Sequence, residues 1–249
     1  MTEHRRIWIL GATSAIAHAY ARRLASAGAT LLLVGRSQAH LDANARDLIA
    51  RGASVACIRC CDLARPTDYS TVLKDFVSAH GFPHEVVIAY GTLEQQGRAV
   101  SDLAYAHDII ETNFTSVACW LLGIIGLWDS SSPLTMTVIG SVAGDRGRAR
   151  NLVYGAAKGG LDRLLEGLQQ AYVGTQIQIV RIKPGFVDTP MTAHIAKGGP
   201  LWATPERVAA DIERAVKRGL AVVYTPWFWW PIMTIIRLLP RSIFHQLRI

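Results

Sequence analysis

The chain has 249 residues, half of them apolar, which is enough to bury a substantial core in one large α/β domain. Only 18 % of residues are charged, mean hydropathy is +0.21, and no repeat occurs, so nothing in the composition marks a disordered tail or a linker. The net charge of +7 permits anionic partners without choosing among lipid, nucleic acid and phosphorylated ligands.

The first part of the chain predicts a strand, a glycine turn and a helix. Basic residues before an apolar run mimic a signal peptide, but residues 6–10 are only long enough for a buried strand. A turn at 11–14, a helix at 15–27 and a strand at 30–34 complete a βαβ unit. The helix N-terminus offers N–H groups and a positive dipole end to a pyrophosphate. The candidate cofactor residues here are Gly11, Thr13, Ser14 and Ile16.

Arg36 follows the second strand, where an NAD site usually carries an acid that holds the ribose hydroxyls. No acid occurs between residues 34 and 37, and a guanidinium suits a 2′-phosphate. The alternative is a surface arginine that caps the strand. The missing carboxylate favours NADPH over NADH.

Strands and helices continue to alternate after this point. Strands are predicted at 54–58, 85–89, 134–139, 176–182 and 221–224, and helices at 39–50, 66–79, 103–128 and 205–218. This alternation predicts an α/β fold, with a single doubly wound Rossmann-type domain over residues 1–225 and a parallel sheet of about seven strands. Asn113 is a poor residue for the middle of a helix and indicates a local kink or a relay.

The four cysteines are interpreted as reduced thiols of a cytoplasmic protein, and no metal site is predicted. Cys57 and Cys60 are three residues apart on a predicted strand, so their side chains point to opposite faces. No second Cys or His pair stands at ligand spacing to complete a zinc site.

The stretch 141–158 contains the candidate catalytic residues. In a helix, Tyr154 and Lys158 project from the same face, and a lysine there lowers the phenol pKa from about 10 toward the range of an acid/base catalyst. Ser141 follows a predicted strand, where its hydroxyl can stabilise a developing alkoxide. A solvated helix face is the alternative for Tyr154 and Lys158 taken alone.

Together these motifs resemble the short-chain dehydrogenase/reductase family over about residues 5–225. Twelve residues separate Ser141 from Tyr154, as in the family, and residues 183–189 match its Pro-Gly-x-x-x-Thr segment. Two departures occur, with Ala15 and Ala17 in place of glycines and residues 89–90 in place of an Asn-Ala pair.

The resemblance implies a role for each matching position. Tyr154 gives or takes a proton, Lys158 lowers its pKa and holds the nicotinamide ribose, Ser141 hydrogen-bonds the oxyanion, and Asn113 holds a water on the proton path. The adenine contacts Asp62 and Leu63, Gly91 leaves room for the cofactor, and the nicotinamide lies against Pro184, Gly185, Val187 and Thr189. The implied reaction is hydride transfer between nicotinamide C4 and a carbonyl or carbinol carbon.

The substrate is the more open question. Within the family, the chain resembles the decaprenylphosphoryl-2-keto-ribose reductase group, which reduces a keto sugar attached through phosphate to a polyprenyl lipid. The alternatives are another apolar carbonyl, such as an acyl chain, steroid or retinoid, and then a soluble polar substrate. A different class is a non-catalytic NADP-sensing regulator, for which the altered glycine motif is the hint. Relatives of the family are commonly homodimers or homotetramers, and no nucleic acid partner is expected.

Three arginines lie between the candidate serine and tyrosine. If the substrate contains a phosphodiester, at least one of Arg146, Arg148 and Arg150 is expected to bind it bidentately. A solvated surface loop is the alternative.

Residues 226–249 form an aromatic and basic C-terminal segment. Its uninterrupted apolar stretch, 232–236, is far below the about 20 residues that a bilayer requires, and Pro231, Arg237 and Pro240 divide the rest. No transmembrane helix is therefore predicted.

The tryptophans of this segment, with Arg237, Arg241 and Arg248 behind them, instead suit the headgroup region of an anionic membrane. The expected location is the cytoplasm, at the inner face of a membrane. The alternative is a cap over the substrate cleft or a dimer interface, where Trp and Arg are also enriched.

Overall fold

Seven parallel strands form the central sheet of the computed structural model, which describes residues 5–93, 95, 97–130 and 132–247. The sheet order is β3-β2-β1-β4-β5-β6-β9, and β7 pairs with β8 in a separate two-stranded ribbon. The strands are β1 (Arg6–Leu10), β2 (Thr30–Gly35), β3 (Val55–Cys60), β4 (Glu85–Ile88), β5 (Leu134–Ile139), β6 (Ile177–Pro184), β7 (Phe186–Val187), β8 (Trp202–Ala203) and β9 (Val222–Thr225). The predicted doubly wound Rossmann-type fold is confirmed.

Helices cover both faces of this sheet. They are α1 (Ala15–Ala25), α2 (Gln38–Ala50), α3 (Tyr69–His80), α4 (Arg98–Ser101), α5 (Leu103–Ile110), α6 (Ser116–Gly126), α7 (Leu152–Ala171), α8 (Pro205–Arg218), α9 (Trp229–Leu238) and α10 (Arg241–Phe244). The side chains of β1 alternate between two core layers, because successive residues of a strand point to opposite faces. Ile7 and Ile9 pack with α1, α2 and α8, whereas Trp8 and Leu10 pack with α3, α6 and α7.

The long helix predicted at 103–128 is not one regular helix. Residues Glu111–Thr115 form a π-helical turn between α5 and α6, and Asn113 is fully buried within it. A π-helical turn has a wider hydrogen-bond spacing than the α-helix and is frequent at functional sites. The irregularity expected at Asn113 is therefore present.

Local capping explains where other predicted boundaries were wrong. The helix expected from residue 66 begins at Tyr69, because the Asp68 carboxylate accepts a hydrogen bond from the Thr71 N–H at 2.7 Å and acts as the N-cap. Pro231 does not divide the C-terminal segment, since it lies in the first turn of α9, where a missing N–H costs nothing. Arg248 lies outside the described residues.

One helical run, Leu103–Gly126, is long and apolar enough to cross a bilayer by length and composition. In the fold its α6 portion is a layer of the core, with Val117, Trp120, Leu121 and Ile124 buried against the sheet. The same composition that suits a bilayer here serves a sheet-covering helix.

Candidate active site

The carboxyl ends of the parallel strands bring the predicted site residues to one edge of the sheet. Gly11 follows β1, Arg36 follows β2, Gly91 lies shortly after β4, Ser141 shortly after β5, and Pro184 ends β6. Ligands of open α/β sheets bind at this edge, where the strand order reverses. Here the order reverses between β1 and β4, next to the turn that contains Gly11.

Tyr154 and Lys158 lie one turn apart on α7, and both are buried. The lysine Nζ is 5.9 Å from the centre of the tyrosine ring and donates a hydrogen bond to the Ile139 carbonyl at 3.2 Å. Ser141 caps the short 3-10 helix Val142–Gly144 through a hydrogen bond from the Ala143 N–H at 3.0 Å. The structure therefore brings the three predicted catalytic side chains together.

Burial governs the protonation of both titratable groups. It raises the pKa of Tyr154, and a hydrogen bond with Ser141 acts in the opposite direction. Burial lowers the pKa of Lys158 from 10.5 to about 8. Without a bound cofactor, the phenol is thus kept protonated while the ammonium is destabilised. The site therefore places a protonated phenol beside a lysine whose ammonium loses its proton more easily than that of an exposed lysine.

Three glycines allow the serine loop to approach the tyrosine helix. A Cβ on Gly144 would lie 2.7 Å from the backbone carbonyl of Lys158, and one on Gly159 would lie 3.2 Å from the Gly144 oxygen. A Cβ on Gly155 would lie 3.2 Å from the Ala143 oxygen. A larger residue at Gly144 would force the loop away from α7, and one at Gly155 or Gly159 would require a smaller shift of the neighbouring backbone. The glycines therefore set the spacing between Ser141 and Tyr154.

Asn113 uses its amide to join the π-helical turn to the segment after β4. Its Oδ1 accepts a hydrogen bond from the Thr92 N–H at 3.2 Å, and its Nδ2 donates to the carbonyls of Thr92 at 3.0 Å and Ile109 at 2.9 Å. These contacts fix the backbone at Gly91. A Cβ on Gly91 would lie 2.7 Å from the Asn113 Oδ1 and 3.6 Å from the Lys158 Nζ.

The space above Gly91 fits the nicotinamide ribose expected from the sequence. A side chain there would collide with the Asn113 Oδ1 and would also contact the Lys158 Nζ, so glycine leaves the surroundings of Lys158 unobstructed at this point. The Lys158 Nζ borders this space, where an ammonium can donate to sugar hydroxyls. The residues present therefore fit a dinucleotide at this point.

The glycine turn after β1 contains the residues that the sequence predicts to bind the pyrophosphate. Gly11 has a φ of +91°, and a Cβ there would lie 2.7 Å from the Tyr90 nitrogen, so only glycine fits. Ser14 is the N-cap of α1, which begins at Ala15. Thr13 is exposed and Ile16 is buried. The methyl group of Ala15 stands in the first turn, where a pyrophosphate would meet the helix N-terminus.

The structure also places the predicted adenosine-binding residues around the ends of β2 and β3. Arg36 is exposed directly after β2, and Asp62 is exposed after β3, with its Oδ1 accepting from the Ala64 N–H at 3.0 Å. Leu63 is buried, and its carbonyl accepts from the Trp120 indole at 2.8 Å. The Leu63 side chain is thus part of the core.

Residues 184–189 run from the end of β6 beneath the C-terminal helix. Val187 is buried, and Thr189 caps a 3-10 turn in which its N–H donates to the Thr192 hydroxyl at 3.2 Å. A Cβ on Gly185 would overlap the indole of Trp229. In this chain, glycine at 185 is therefore needed for the approach of α9, in addition to any contact with a nicotinamide.

A buried ion network, which the sequence analysis missed, joins four elements below the catalytic residues. The Lys183 Nζ pairs with Asp145, and with Asp162 at 3.0 Å. Arg181 pairs with Asp162 at 3.1 Å, and the Tyr224 hydroxyl donates to Asp145 at 2.8 Å. Asp162 is one turn beyond Lys158 on α7, which is the only sequence signal that points to it.

The charges of this network stabilise each other. Burial alone would lower the pKa of Lys183, but its hydrogen bond with Asp145 and the two carboxylate charges raise it. Burial alone would raise the pKa of Asp162, but Lys183 and Arg181 hold it below its ordinary value. Both shifts favour the charged forms of Lys183 and Asp162, and the ion pairs tie the serine loop to α7, β6 and β9.

The three arginines of this loop have different surroundings. Arg146 donates to the carbonyls of Ile236, Arg237 and Leu239, at 3.2 Å for Arg237 and 2.8 Å for Leu239, and lies 3.7 Å from the Phe244 ring centre. Its guanidinium therefore caps α9 and is not directed to a substrate. Arg150 is exposed on the 3-10 turn Ala149–Asn151.

Arg148 is the remaining candidate for a substrate phosphate. It is half-buried, and its Nη2 is 3.5 Å from the carbonyl of Val142, the residue after Ser141. Within the part of the chain that the structure describes, its buried Nε has no hydrogen-bond partner. Arg148 therefore has an N–H group in the serine loop whose hydrogen-bonding capacity is not used by the described residues.

The sequence of the chain is similar to that of a known protein family. Residues 5–199 match the family model described as short chain dehydrogenase. The chain belongs to the short-chain dehydrogenase family. It is therefore an NAD(P)-dependent oxidoreductase, in agreement with the reaction class implied by Ser141, Tyr154 and Lys158.

Two curated relatives within this family are similar over almost the whole chain. An uncharacterized oxidoreductase of Mycobacterium tuberculosis is 37 % identical over 239 residues, which are 96 % of this chain and 95 % of the relative. An uncharacterized oxidoreductase encoded in the 5′ region of mprA of Streptomyces coelicolor is 35 % identical over 245 residues, which are 98 % of this chain and 96 % of the relative.

Solved short-chain dehydrogenase structures have the same fold. An alcohol dehydrogenase from the archaeon Thermococcus sibiricus, in complex with 5-hydroxy-NADP, is 21 % identical with a TM-score of 0.77 and covers 89 % of this chain and 96 % of its own. A variant of the actinorhodin polyketide ketoreductase with NADPH is 21 % identical with a TM-score of 0.78 and covers 90 % and 96 %.

Proposed function

We propose that this short-chain dehydrogenase is an NADPH-dependent reductase of a ketone, and that the ketone is a keto sugar carried on a polyprenyl phosphate. The observation that carries the reductase assignment is the buried Tyr154, in hydrogen-bonding contact with Ser141 and one turn from Lys158. The bound cofactor supplies the hydride for the carbonyl carbon.

The side chains of the site have separate tasks in this reduction. Tyr154, whose pKa burial raises, gives its proton to the carbonyl oxygen as negative charge develops there. Ser141 donates a hydrogen bond to the same oxygen, and Lys158 binds the ribose beside Gly91 and stabilises the phenolate left behind. Asn113 holds the backbone at Thr92 and supports the path by which the proton is replaced.

Two observations support NADPH as the cofactor. Arg36 is exposed at the end of β2, and no acid lies between residues 34 and 37 to hold unphosphorylated ribose hydroxyls. The two solved neighbours are complexes with NADPH or an NADP derivative.

Two other observations support the lipid-linked substrate. Arg148 lies in the serine loop, its Nε has no hydrogen-bond partner within the described part of the chain, and its guanidinium suits a phosphodiester near the reacting carbon. The aromatic C-terminal helix α9 packs on Val142 and Gly185, so an apolar surface adjoins the site. A lipid chain that leaves the cleft would meet this surface.

A second candidate is the reduction of another apolar carbonyl, such as an acyl chain, a steroid or a retinoid. The neighbour that is a polyketide ketoreductase favours this class, because its name specifies the reduction of a polyketide and not of a sugar. A non-catalytic NADP-sensing regulator agrees less well with the geometry, since the catalytic residues stand together.

The test is an assay of NADPH oxidation with polyprenyl-phosphoryl keto sugars and with phosphate-free apolar ketones, using NADH in parallel. Wild type is expected to oxidise NADPH with the lipid-linked sugar, and Tyr154→Phe to be slower by about 10²- to 10⁴-fold while still binding NADPH. Arg148→Ala should raise KM for the phosphorylated substrate alone, whereas Arg150→Ala should leave it unchanged. Activity only with phosphate-free ketones would replace the keto sugar with the second candidate. Equal activity of Tyr154→Phe and wild type would overturn the reductase assignment.

A further inference from the structure

The outer face of the C-terminal segment, residues 226–247, exposes large apolar side chains next to the active site. Trp227 is 70 % exposed, Trp230 58 %, Ile235 64 % and Leu238 77 %. Single apolar residues on a surface need no explanation, but four on one short segment form a patch. Patches of this kind mark surfaces that bind a partner or a membrane.

The spacing of the apolar residues in α9 shows that one face of the helix is buried against the protein. The exposed apolar side chains lie on the rest of the helix surface. Trp229 and Met233 are buried, and Ile232 and Ile236 pack beside them, at the i, i+3, i+4 and i+7 positions of a helix face. The exposed positions of α9 are Trp230, Ile235, Arg237 and Leu238. A helix that only covered the protein would have a polar outer face, but this one has a tryptophan, a leucine and an arginine.

The charges on the segment have one sign. Residues 226–249 contain three arginines and no Asp or Glu. Arg237 and Arg241 are exposed beside Leu238 and Ile243. A surface of indoles and aliphatic groups bordered by arginines complements an anionic lipid surface, in which rings enter the headgroup region and guanidinium groups meet phosphates.

Contacts on the inner side hold this face in a fixed position. Arg146, from the loop after Ser141, donates to the last carbonyls of α9 and stacks on Phe244 of α10. Trp229 and Met233 contact Val142, the neighbour of the catalytic serine. The outer face is thus presented by a rigid support, so binding would not have to order a free tail.

We propose that the outer face of α9 and α10, with Trp227, docks on an anionic bilayer surface and holds the active site against it. The helix lies along the surface and does not cross it, because its 10 residues span only about 15 Å of a hydrocarbon core about 30 Å thick. This inference rests on the C-terminal segment alone and does not depend on the identity of the substrate.

A second copy of the chain is the competing occupant, and the charges disfavour it. A twofold interface brings the same patch of both subunits together, so its charges must complement themselves. Arg237 and Arg241 would meet their own copies with no carboxylate in the segment to balance them. An anionic lipid surface provides that balance.

The test is flotation of the full chain with vesicles of phosphatidylcholine alone and of phosphatidylcholine with phosphatidylglycerol. Wild type is expected to float with the anionic vesicles and weakly or not at all with the neutral ones. Arg237→Gln with Arg241→Gln should lower the partition coefficient about 30-fold, the effect of two arginines near an anionic surface. Trp227→Ser with Trp230→Ser should lower it at least tenfold and leave a salt-sensitive remainder.

Matched control variants remove arginines or an exposed apolar side chain outside the C-terminal segment. Arg59→Gln with Arg218→Gln removes two exposed arginines outside the segment, and Val173→Ser removes an exposed aliphatic group at the opposite edge of the sheet. Both controls should float like wild type. Light scattering without vesicles measures the oligomeric state of every variant.

Two results would overturn the proposal. One is wild type that stays at the bottom of the gradient with every vesicle. The other is that replacement of Trp227 and Trp230 dissociates an oligomer but leaves flotation unchanged, which would show that the face binds a second copy of the chain. Ketone reduction in lipid-free buffer reports separately on the active site, so failure of the proposed reductase function would be seen independently.

Discussion

Lys158 places a charge in the interior of the site. Burial of this charge destabilises the folded protein when no cofactor is bound. Its pKa is lowered from 10.5 to about 8 by burial, so below pH 8 the folded protein holds an ammonium that the surroundings disfavour. Between pH 8 and 10.5 the unfolded chain binds more protons at this position than the folded one. Stability from this group therefore rises with pH across that window.

Replacement of Lys158 is accordingly expected to stabilise the protein while it abolishes activity. Lys158→Met should raise the free energy of unfolding at pH 7 by about 3 kcal/mol, and the gain should shrink toward zero near pH 10.5. Urea unfolding at pH 7 and pH 9.5 without cofactor measures both. The same gain at both pH values would show that packing, and not the charge, is responsible.

Arg36 is the residue at which cofactor choice is decided in the proposed function. Arg36→Ser is expected to weaken NADPH binding by about 1 to 3 kcal/mol and to change NADH binding little, because only the 2′-phosphate loses a charge-assisted hydrogen bond. Fluorescence titration with both cofactors measures the difference. Arg218→Ser, at the end of α8, is the control. Equal loss for NADPH and NADH would contradict the role of Arg36.

At the scale of elements, the catalytic geometry depends on how closely the serine loop packs on α7. Gly144 and Gly159 meet backbone to backbone, and the buried ion network of Lys183, Asp145 and Asp162 closes the same junction from below. The junction therefore resists movement from two sides, which keeps the Ser141 hydroxyl at Tyr154.

Two glycines of the same loop provide a matched test of this junction. Gly144→Ala would place a Cβ 2.7 Å from the Lys158 carbonyl, whereas the Cβ of Gly147→Ala would meet nothing within 4 Å. Gly144→Ala is expected to lower stability by about 1 to 3 kcal/mol and kcat by at least tenfold. Gly147→Ala should change neither. Thermal unfolding and ketone reduction measure the pair, and identical behaviour of both variants would rule out close packing as the reason for Gly144.

At the scale of the whole molecule, the C-terminal segment is a structural part of the catalytic domain. Trp229 lies over Gly185, Met233 is fully buried, and Arg146 caps α9. A chain that ended at residue 225 would expose Val142 next to the catalytic serine. Loss of membrane binding in such a truncation would therefore be confounded by damage to the site. Assembly into a homodimer or homotetramer stays a prediction.

Two adjacent tryptophans of α9 allow the packing of the helix on the protein to be tested separately from the role of its exposed face. Trp229 is 5 % exposed and Trp230 is 58 % exposed. Trp229→Ala is expected to lower the free energy of unfolding by about 3 to 5 kcal/mol and to reduce kcat/KM with any ketone. Trp230→Ala should change stability by less than about 0.5 kcal/mol. Urea unfolding and kinetics in lipid-free buffer test the pair, and a stable, fully active Trp229→Ala would show that α9 does not support the site.

The sequence by itself determined the order of the seven sheet strands, the glycine turn at Gly11 and the placement of Tyr154 and Lys158 one helical turn apart. Each of these depends on residues within one or two turns of each other, where periodicity, caps and backbone preferences act. The spacing of Ser141 and Tyr154 and the segment 184–189 then identified the family, which the family model confirms. The anomaly at Asn113 was also visible locally, because an amide in mid-helix competes for backbone hydrogen bonds.

Only the tertiary structure decided the uses of the charged and aromatic side chains. Nothing local distinguishes Arg146, which caps α9 about 90 residues away, from Arg148, whose buried Nε has no hydrogen-bond partner among the described residues. Lys183 is paired because folding brings it to Asp145, 38 residues earlier in the chain. Buried charges and close backbone contacts are stable only when a distant partner completes them, and the identity of that partner is a property of the packed molecule.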